Sequence, residues 1–80
     1  MKARIYVTLK NGILDPQGKT IQQSLHHLGY TGVKDVRLGK YIEMELSSMP
    51  LEDAKRQVAE MCRKLLANTV IEDFRFDVEG

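Results

Sequence analysis

The side chain best suited to act as a nucleophile in this sequence is Cys62, the only cysteine among 80 residues. A catalytic thiolate needs an accessible, polar setting with cations close by. Cys62 instead falls on the apolar stripe of a predicted helix, and unpaired cysteine is among the most buried residue types. We therefore predict that Cys62 is a buried structural residue. A single cysteine also excludes an intrachain disulfide.

The histidines and the carboxylates are the other groups that could do acid–base or metal chemistry. His26 and His27 are neighbours on a predicted helix, so their side chains diverge by about 100° and cannot hold one ion together. Glu43 and Glu45 share a strand face with Tyr41, opposite the apolar face. Nothing there supplies the burial that would shift a carboxyl pKa. We expect this face to be solvated or to contact another protein.

The glycines do not form a nucleotide-binding motif. Their positions (12, 18, 29, 32, 39 and 80) fit neither the dinucleotide-binding spacing nor the phosphate-binding loop of ATPases. An RNA-binding sheet would place paired aromatic residues on its central strands, whereas residues 39–44 offer one tyrosine and a carboxylate. The sequence therefore predicts no catalytic residue, no bound cofactor and no metal site in this chain.

The first two elements are clearly marked. Residues 2–10 alternate between apolar and polar side chains, which predicts a half-buried strand. Asp15 is a good helix N-cap, with Pro16 at the first helical position. Apolar residues then recur at helical spacing until Gly29, which predicts the end of the helix.

Residues 33–46 have one unusual property: all their aliphatic residues from Val36 to Leu46 are even-numbered. A two-residue turn at Gly39-Lys40 would divide this set between the two faces of a sheet. A three-residue loop from Gly39 to Tyr41 would keep the set on one face, and so would a single strand. We favour a single long strand that is bent or bulged at Gly39.

Lys40 breaks the pattern of that strand, because it is a charged residue at an even-numbered position, on the face where the other even-numbered residues are apolar. Two interpretations are open. A bulge at Gly39 would let the lysine side chain reach solvent. Alternatively, Lys40 contacts another protein.

The remaining elements complete the fold class. Residues 47–50 predict a helix start, and a wide apolar stripe that includes Leu65 continues to Asn68. Residues 70–78 predict a final strand with Val70 on its apolar face. The fold is then α+β in two layers, with two helices on one face of an antiparallel sheet. The order is strand, helix, long bent strand, helix, strand, related to the ferredoxin-like fold. Residues 1–80 form a single domain.

Composition excludes several classes of partner. With 12 basic and 11 acidic residues, the chain carries no excess charge for nucleic acid or a membrane surface. No apolar run has the length of a signal peptide or of a membrane span, so we expect a cytoplasmic protein. A chain this short buries only about 60–65% of its unfolded surface. Without a disulfide or a metal, oligomerisation is the remaining means of stabilisation.

Three segments carry a resemblance to a known family. They are residues 14–18 (LDPQG), 35–43 (DVRLGKYIE) and 61–73 (MCRKLLANTVIED). In order and spacing they resemble the PurS family, the small subunit of bacterial phosphoribosylformylglycinamidine (FGAM) synthase. The likeness covers nearly the whole chain and implies a PurS-like homodimer or dimer of dimers.

The resemblance implies a role in de novo purine biosynthesis. The family's complex converts formylglycinamide ribonucleotide, glutamine and ATP to formylglycinamidine ribonucleotide, glutamate, ADP and phosphate. A glutaminase subunit, PurQ, releases ammonia, and a large subunit, PurL, uses ATP and magnesium for the amidation. PurS bridges the two, assists ammonia transfer and holds no catalytic residue. We select six residues as partner contacts: Arg37, Gly39, Lys40, Tyr41, Asn68 and Thr69.

Two other functions compete with this one. A ligand-sensing regulatory domain of ferredoxin-like topology would use a glycine-containing turn after the first strand, and Asn11-Gly12 fits that feature. A small hydrolase of the acylphosphatase type would need an arginine in an anion-binding loop at the first helix. Residues 12–20 contain no arginine, which weighs against the hydrolase.

Overall fold

The computed structural model describes all residues, 1–80, and contains three strands and two main helices. In chain order the elements are β1 (Lys2–Leu9), α1 (Pro16–His27), β2 (Gly39–Glu45), α2 (Leu51–Met61), a π-helical turn (Cys62–Leu66) and β3 (Glu72–Glu79). The predicted α+β class is confirmed, with a three-stranded antiparallel sheet and two helices.

Helix α1 begins where the sequence predicts. The Asp15 carboxylate accepts a hydrogen bond from the Gly18 amide at 2.8 Å, and Pro16 occupies the first helical position. The helix ends at His27, and Gly29 follows with a φ of +99°, a conformation that favours glycine. The local cap chemistry therefore sets both ends of α1.

Strand β1 is the centre of the sheet and of the core. The strand order is β2-β1-β3, with Ile5 paired to Ile42 on one side and to Phe76 on the other. Helix α2 covers one face of this sheet. The buried core consists of Ala3, Ile5, Val7, Ala54, Val58, Cys62 and Ala67. Because neighbouring strands and a helix enclose β1, Ala3, Ile5 and Val7 lose nearly all solvent contact, and Cys62 is buried as predicted.

The strand predicted over residues 33–46 is confirmed only for residues 39–45. It is a single strand, so neither hairpin alternative occurs, and its register with β1 runs without a bulge from Gly39 to Glu45. The last pair joins Thr8 to Gly39. Strand β1 ends one residue later, so residues 33–38 have no strand to pair with inside the chain.

Helix α1 is positioned differently from the expectation that two helices pack on one face. The core cluster and the side chains packed against it include no residue of α1. Leu28, just after the helix, is 73% exposed. Polar contacts hold α1 to residues 33–38 instead: Gln22 donates to the Lys34 carbonyl at 2.8 Å. Only α2 completes the core.

The chain is elongated, measuring 49 × 25 × 14 Å. Its radius of gyration is 16.0 Å, whereas a compact chain of this length would have about 12 Å. Its accessible surface of 5766 Å² exceeds by about 900 Å² the value for a compact monomer of 9.1 kDa. One partner contributes about 800 Å² to a standard protein–protein interface. The shape therefore fits a chain that another polypeptide completes. No helix combines the length and the apolar character needed to cross a membrane.

Candidate subunit contact surface

Three segments meet at one end of the sheet, which we call the connector end: residues 9–12, 37–41 and 66–72. The Lys10 amide donates to the Ile71 carbonyl at 2.8 Å, which joins the first and third segments. All six predicted contact residues lie in these segments: Arg37, Gly39, Lys40 and Tyr41 in the second, and Asn68 and Thr69 in the third. Residues far apart in sequence are thus brought together.

Arg37 is used inside the chain. Its guanidinium donates to the carbonyls of Leu9 and Lys10, the latter at 3.0 Å, and to the Asn11 side-chain oxygen at 3.2 Å. Its Nε atom is buried without a partner. These bonds tie the turn after β1 to the segment that enters β2. Arg37 therefore positions the connector end, and its contact with another protein stays a prediction.

Lys40 also has an intramolecular role. Its Nζ atom donates to the Leu66 carbonyl at 3.3 Å and lies 3.9 Å from a Glu72 carboxylate oxygen. A cation is favourable at the carboxyl end of a helix, where carbonyls lack helical partners. The carboxyl end of the helix therefore explains why a charged residue occupies the apolar face of β2. A bulge is not the explanation, because none occurs at Gly39. Partner contact by Lys40 stays a prediction.

The turn that contains Asn68 and Thr69 is held in a fixed shape. The Asn68 amide donates to the other Glu72 carboxylate oxygen at 2.7 Å, and the Asn68 side chain accepts from the Val70 amide at 3.1 Å. Glu72 therefore links Lys40 to Asn68. Thr69 is exposed at the tip of the turn.

Two exposed apolar residues, Leu65 and Val70, flank this turn. The apolar pattern of the sequence predicted that both would be buried. Leu65 is 83% exposed and Val70 is 79% exposed. Leu65 leaves the apolar stripe because the helix widens to a π-helical turn at Cys62–Leu66. Val70 lies outside β3, which begins at Glu72. The corrected positions make both side chains available for contact.

Gly39 and Tyr41 lie on β2, where Tyr41 faces the side of the sheet away from α2. The Tyr41 hydroxyl donates to Glu43 at 3.0 Å. Partial desolvation and this carboxylate raise the pKa of Tyr41. The hydrogen bond from Tyr41 and the nearby Lys2 ammonium lower the pKa of Glu43. Glu43 is therefore an ion-paired surface residue, and its pKa moves away from the range of a general base at neutral pH.

Two of the groups that could do chemistry, Cys62 and His26, are buried or hydrogen-bonded within the chain. Burial raises the pKa of the Cys62 thiol, which is opposite to what a thiolate nucleophile requires. His26 Nε2 is 2.8 Å from the Val33 carbonyl. No group of three or more His, Cys, Asp or Glu side chains is close enough to hold a metal ion. The arrangement at the connector end is suited to protein contact.

Residues 2–80 match the family model described as PurS: Phosphoribosylformylglycinamidine (FGAM) synthase. The chain belongs to the PurS family. It is 51% identical over 78 residues to phosphoribosylformylglycinamidine synthase subunit PurS of Bacillus subtilis, covering 98% of this chain and 92% of that one. It is 45% identical to the Methanocaldococcus jannaschii subunit of the same name, covering 98% and 94%.

Solved structures of PurS subunits agree with the sequence comparison. The C2 crystal form of Bacillus subtilis PurS superimposes with a TM-score of 0.86 at 51% identity, covering 99% of this chain and 98% of that one. A chain in the structure of PurLQS from Thermotoga maritima gives a TM-score of 0.86 at 34% identity, covering 95% and 93%. The resemblance drawn from the three sequence segments is confirmed, and the fold is shared with these PurS chains over 95% or more of this chain.

Proposed function

We propose that this chain is the non-catalytic small subunit of FGAM synthase in de novo purine biosynthesis, joining the glutaminase subunit PurQ to the synthetase subunit PurL. The observation that carries the proposal is its likeness, over almost the full length, to a chain in the PurLQS structure of Thermotoga maritima. Its curated relatives named above bear the name of the same synthase subunit.

The geometry supports an assembly role. The surface is larger than that of a compact monomer of the same mass, and the exposed side chains of Leu65 and Val70 flank a turn that is fixed by hydrogen bonds. Apolar side chains presented on an ordered turn lose little conformational freedom on binding, so more of the contact energy is retained.

The proposed task follows from the chemistry of ammonia. Ammonia that escapes into neutral water is protonated and is then no longer a nucleophile, so the two reactions must be coupled through a path that excludes water. In this proposal PurL binds ATP and magnesium and amidates formylglycinamide ribonucleotide. The small subunit binds no cofactor, acts in the cytoplasm, and forms a homodimer or a dimer of dimers that holds PurQ and PurL in register.

Reconstitution with two nitrogen donors tests the proposal. PurL and PurQ are combined with or without this chain, and product formation is measured with glutamine and, separately, with ammonium salt. We expect the chain to be required for the glutamine-dependent rate, while the ammonia-dependent rate of PurL changes little because added ammonia bypasses the transfer. Equal glutamine-dependent rates with and without the chain would refute the role.

The ligand-sensing alternative gains no support. The turn at Asn11-Gly12 that it would use is engaged by the Arg37 guanidinium. Calorimetric titration of the isolated chain with amino acids and nucleotides separates the two functions, because tight binding of either is expected only from the sensor.

A further inference from the structure

A row of three flat side chains crosses the sheet face that α2 leaves open. The rings of Tyr6 on β1 and Tyr41 on β2 have centroids 5.2 Å apart. The guanidinium carbon of Arg75 on β3 lies 4.1 Å from the centre of the Tyr6 ring. The row follows from the register, which pairs Tyr6 with Tyr41 on one side and with Arg75 on the other.

Arg75 differs from the other two cations of this face. Lys2 is paired with Glu43 at 3.4 Å, and Arg4 is paired with two acidic side chains of β3 at 3.0 and 3.5 Å. Arg75 has no ion pair and no side-chain hydrogen bond within the chain. The guanidinium carbon lies over the Tyr6 ring, a contact that uses none of the N–H groups as hydrogen-bond donors, so these donors remain free.

The surroundings of Arg75 are those of a binding anchor. Stacking orders the arginine before any partner arrives, which reduces the entropy lost on binding. Tyrosine and arginine are enriched among the residues that contribute most to protein interfaces. A groove of about 360 Å³ runs beside the row and is bordered by Thr8, Gly39 and Asp73. The groove is open because Gly39, the residue opposite Thr8, has no side chain.

We propose that Arg75 binds a carboxylate side chain of a partner subunit that docks on the open sheet face and covers the ring of Tyr41. This rests on the proposed function and identifies one surface that serves it. The free guanidinium edge can donate two parallel hydrogen bonds to a carboxylate in a planar geometry, which fixes orientation as well as adding affinity. The ring of Tyr41, which is 51% exposed, provides the apolar contact beside it.

The charges of the face select the class of partner. Five carboxylates and three cations share it: Glu43, Glu45, Asp73, Asp77 and Glu79 against Lys2, Arg4 and Arg75. A nucleic acid or an anionic membrane would meet more negative than positive charge. A second copy of the chain would bring the same excess of negative charge against this face, and the two faces would repel each other. The face therefore fits a different polypeptide, with a carboxylate for Arg75 and cations opposite Glu45 and Asp73.

The test compares two substitutions of Arg75 and one control substitution in the assembled complex. Arg75→Gln removes the charge, Arg75→Lys keeps the charge but loses the planar edge, and Arg63→Gln is the matched control at an exposed arginine without an ion pair. Sedimentation of each variant with PurL and PurQ measures assembly at two ionic strengths. We expect Arg75→Gln to weaken assembly by about tenfold to a hundredfold and to reduce its salt dependence. Arg75→Lys should fall between, and Arg63→Gln should match the unaltered chain.

Three results would overturn the inference. In the first, Arg75→Gln assembles as tightly as the unaltered chain, or no more weakly than Arg63→Gln. This result would remove the docking surface and leave the proposed function standing. Arg75→Gln could change the oligomeric state of the isolated chain, which would assign the face to a second copy. If the unaltered chain itself does not assemble with PurL and PurQ, the proposed function fails together with the inference.

Discussion

The ammonium group of Lys40, in the edge strand β2, donates to the carbonyl oxygen of Leu66 at the end of the second helix, 3.3 Å away. The sequence suggested a bulge or a partner contact at Lys40. In the structure this residue instead holds the connector end together through contacts within the chain. Glu72 shares this lysine and also accepts from the Asn68 amide, so one carboxylate couples the edge strand to the exposed turn.

Reversal of the charge at Lys40 should weaken subunit assembly and leave the isolated fold intact. In Lys40→Glu the new carboxylate faces Glu72, and the repulsion shifts the turn of residues 67–71. Because the Lys40 side chain is more than half exposed, which screens the interaction with Glu72, we expect the free energy of unfolding to fall by about 1 kcal/mol or less. Co-purification with PurL and PurQ should fall by about tenfold. Lys55→Glu, at an exposed lysine without an ion pair, is the matched control; unchanged co-purification of Lys40→Glu contradicts the prediction.

Substitution of Gly18 by alanine should destabilise the chain. In an open helical position this change stabilises by up to about 1 kcal/mol. At Gly18, however, the added methyl group would overlap the Val36 carbonyl oxygen, so the segment before β2 must move away from α1. We expect a loss of about 1–3 kcal/mol in urea unfolding. Gly32→Ala, where the methyl group meets open space, should be neutral or slightly stabilising; a gain in stability for Gly18→Ala would show that the close contact is absent.

The stability that Asp15 contributes should disappear in acid. Hydrogen bonds from the amides of Leu38 and Gly18 lower the pKa of this carboxyl. A lowered folded-state pKa means that the contribution is complete above the unfolded value of about 3.9 and is lost as the pH falls through the lower folded value. The difference in unfolding free energy between the unaltered chain and Asp15→Asn should be constant near neutral pH and shrink below about pH 4. A difference that does not change across that window is incompatible with the assigned hydrogen bonds.

The thiol of Cys62 should react only when the chain opens. The side chain has no solvent exposure, and burial raises its pKa. We expect a disulfide reagent at pH 8 to modify the folded chain at least about a hundredfold more slowly than the chain in denaturant, since core opening costs several kcal/mol. The reaction is followed by absorbance, with Cys62→Ala as the blank. Rapid modification under native conditions would place the thiol at the surface.

The elements of the fold follow from local rules that act within a few residues. Asp15 and Pro16 define the start of α1 because cap chemistry needs only neighbouring amides. The alternation of Ala3, Ile5 and Val7 predicts a half-buried strand, and these residues are buried. In each case the signal and its effect lie in the same stretch of chain.

The errors have a common physical origin. The strand predicted to begin at residue 33 begins at Gly39, because a strand extends only as far as its partner, and β1 ends at Leu9. Leu65 was expected on the apolar stripe, but the π-helical turn changes the angular spacing of its side chains. Neither the length of a partner strand nor a change in helix type is encoded in a local pattern of apolar residues.

The sequence by itself determined the fold class, the buried Cys62, the membership in the PurS family through three spaced segments, and the expectation of a partner-dependent protein. Only the tertiary structure decided that Arg37 and Lys40 bond to backbone carbonyls within the chain, and that Arg75 stacks on Tyr6 with its donors free. The reason is range. Periodicity and capping depend on near neighbours. The contacts of Arg37 with Lys10, of Lys40 with Leu66 and of Arg75 with Tyr6 span 27, 26 and 69 positions of the chain, and only the sheet brings these residues together.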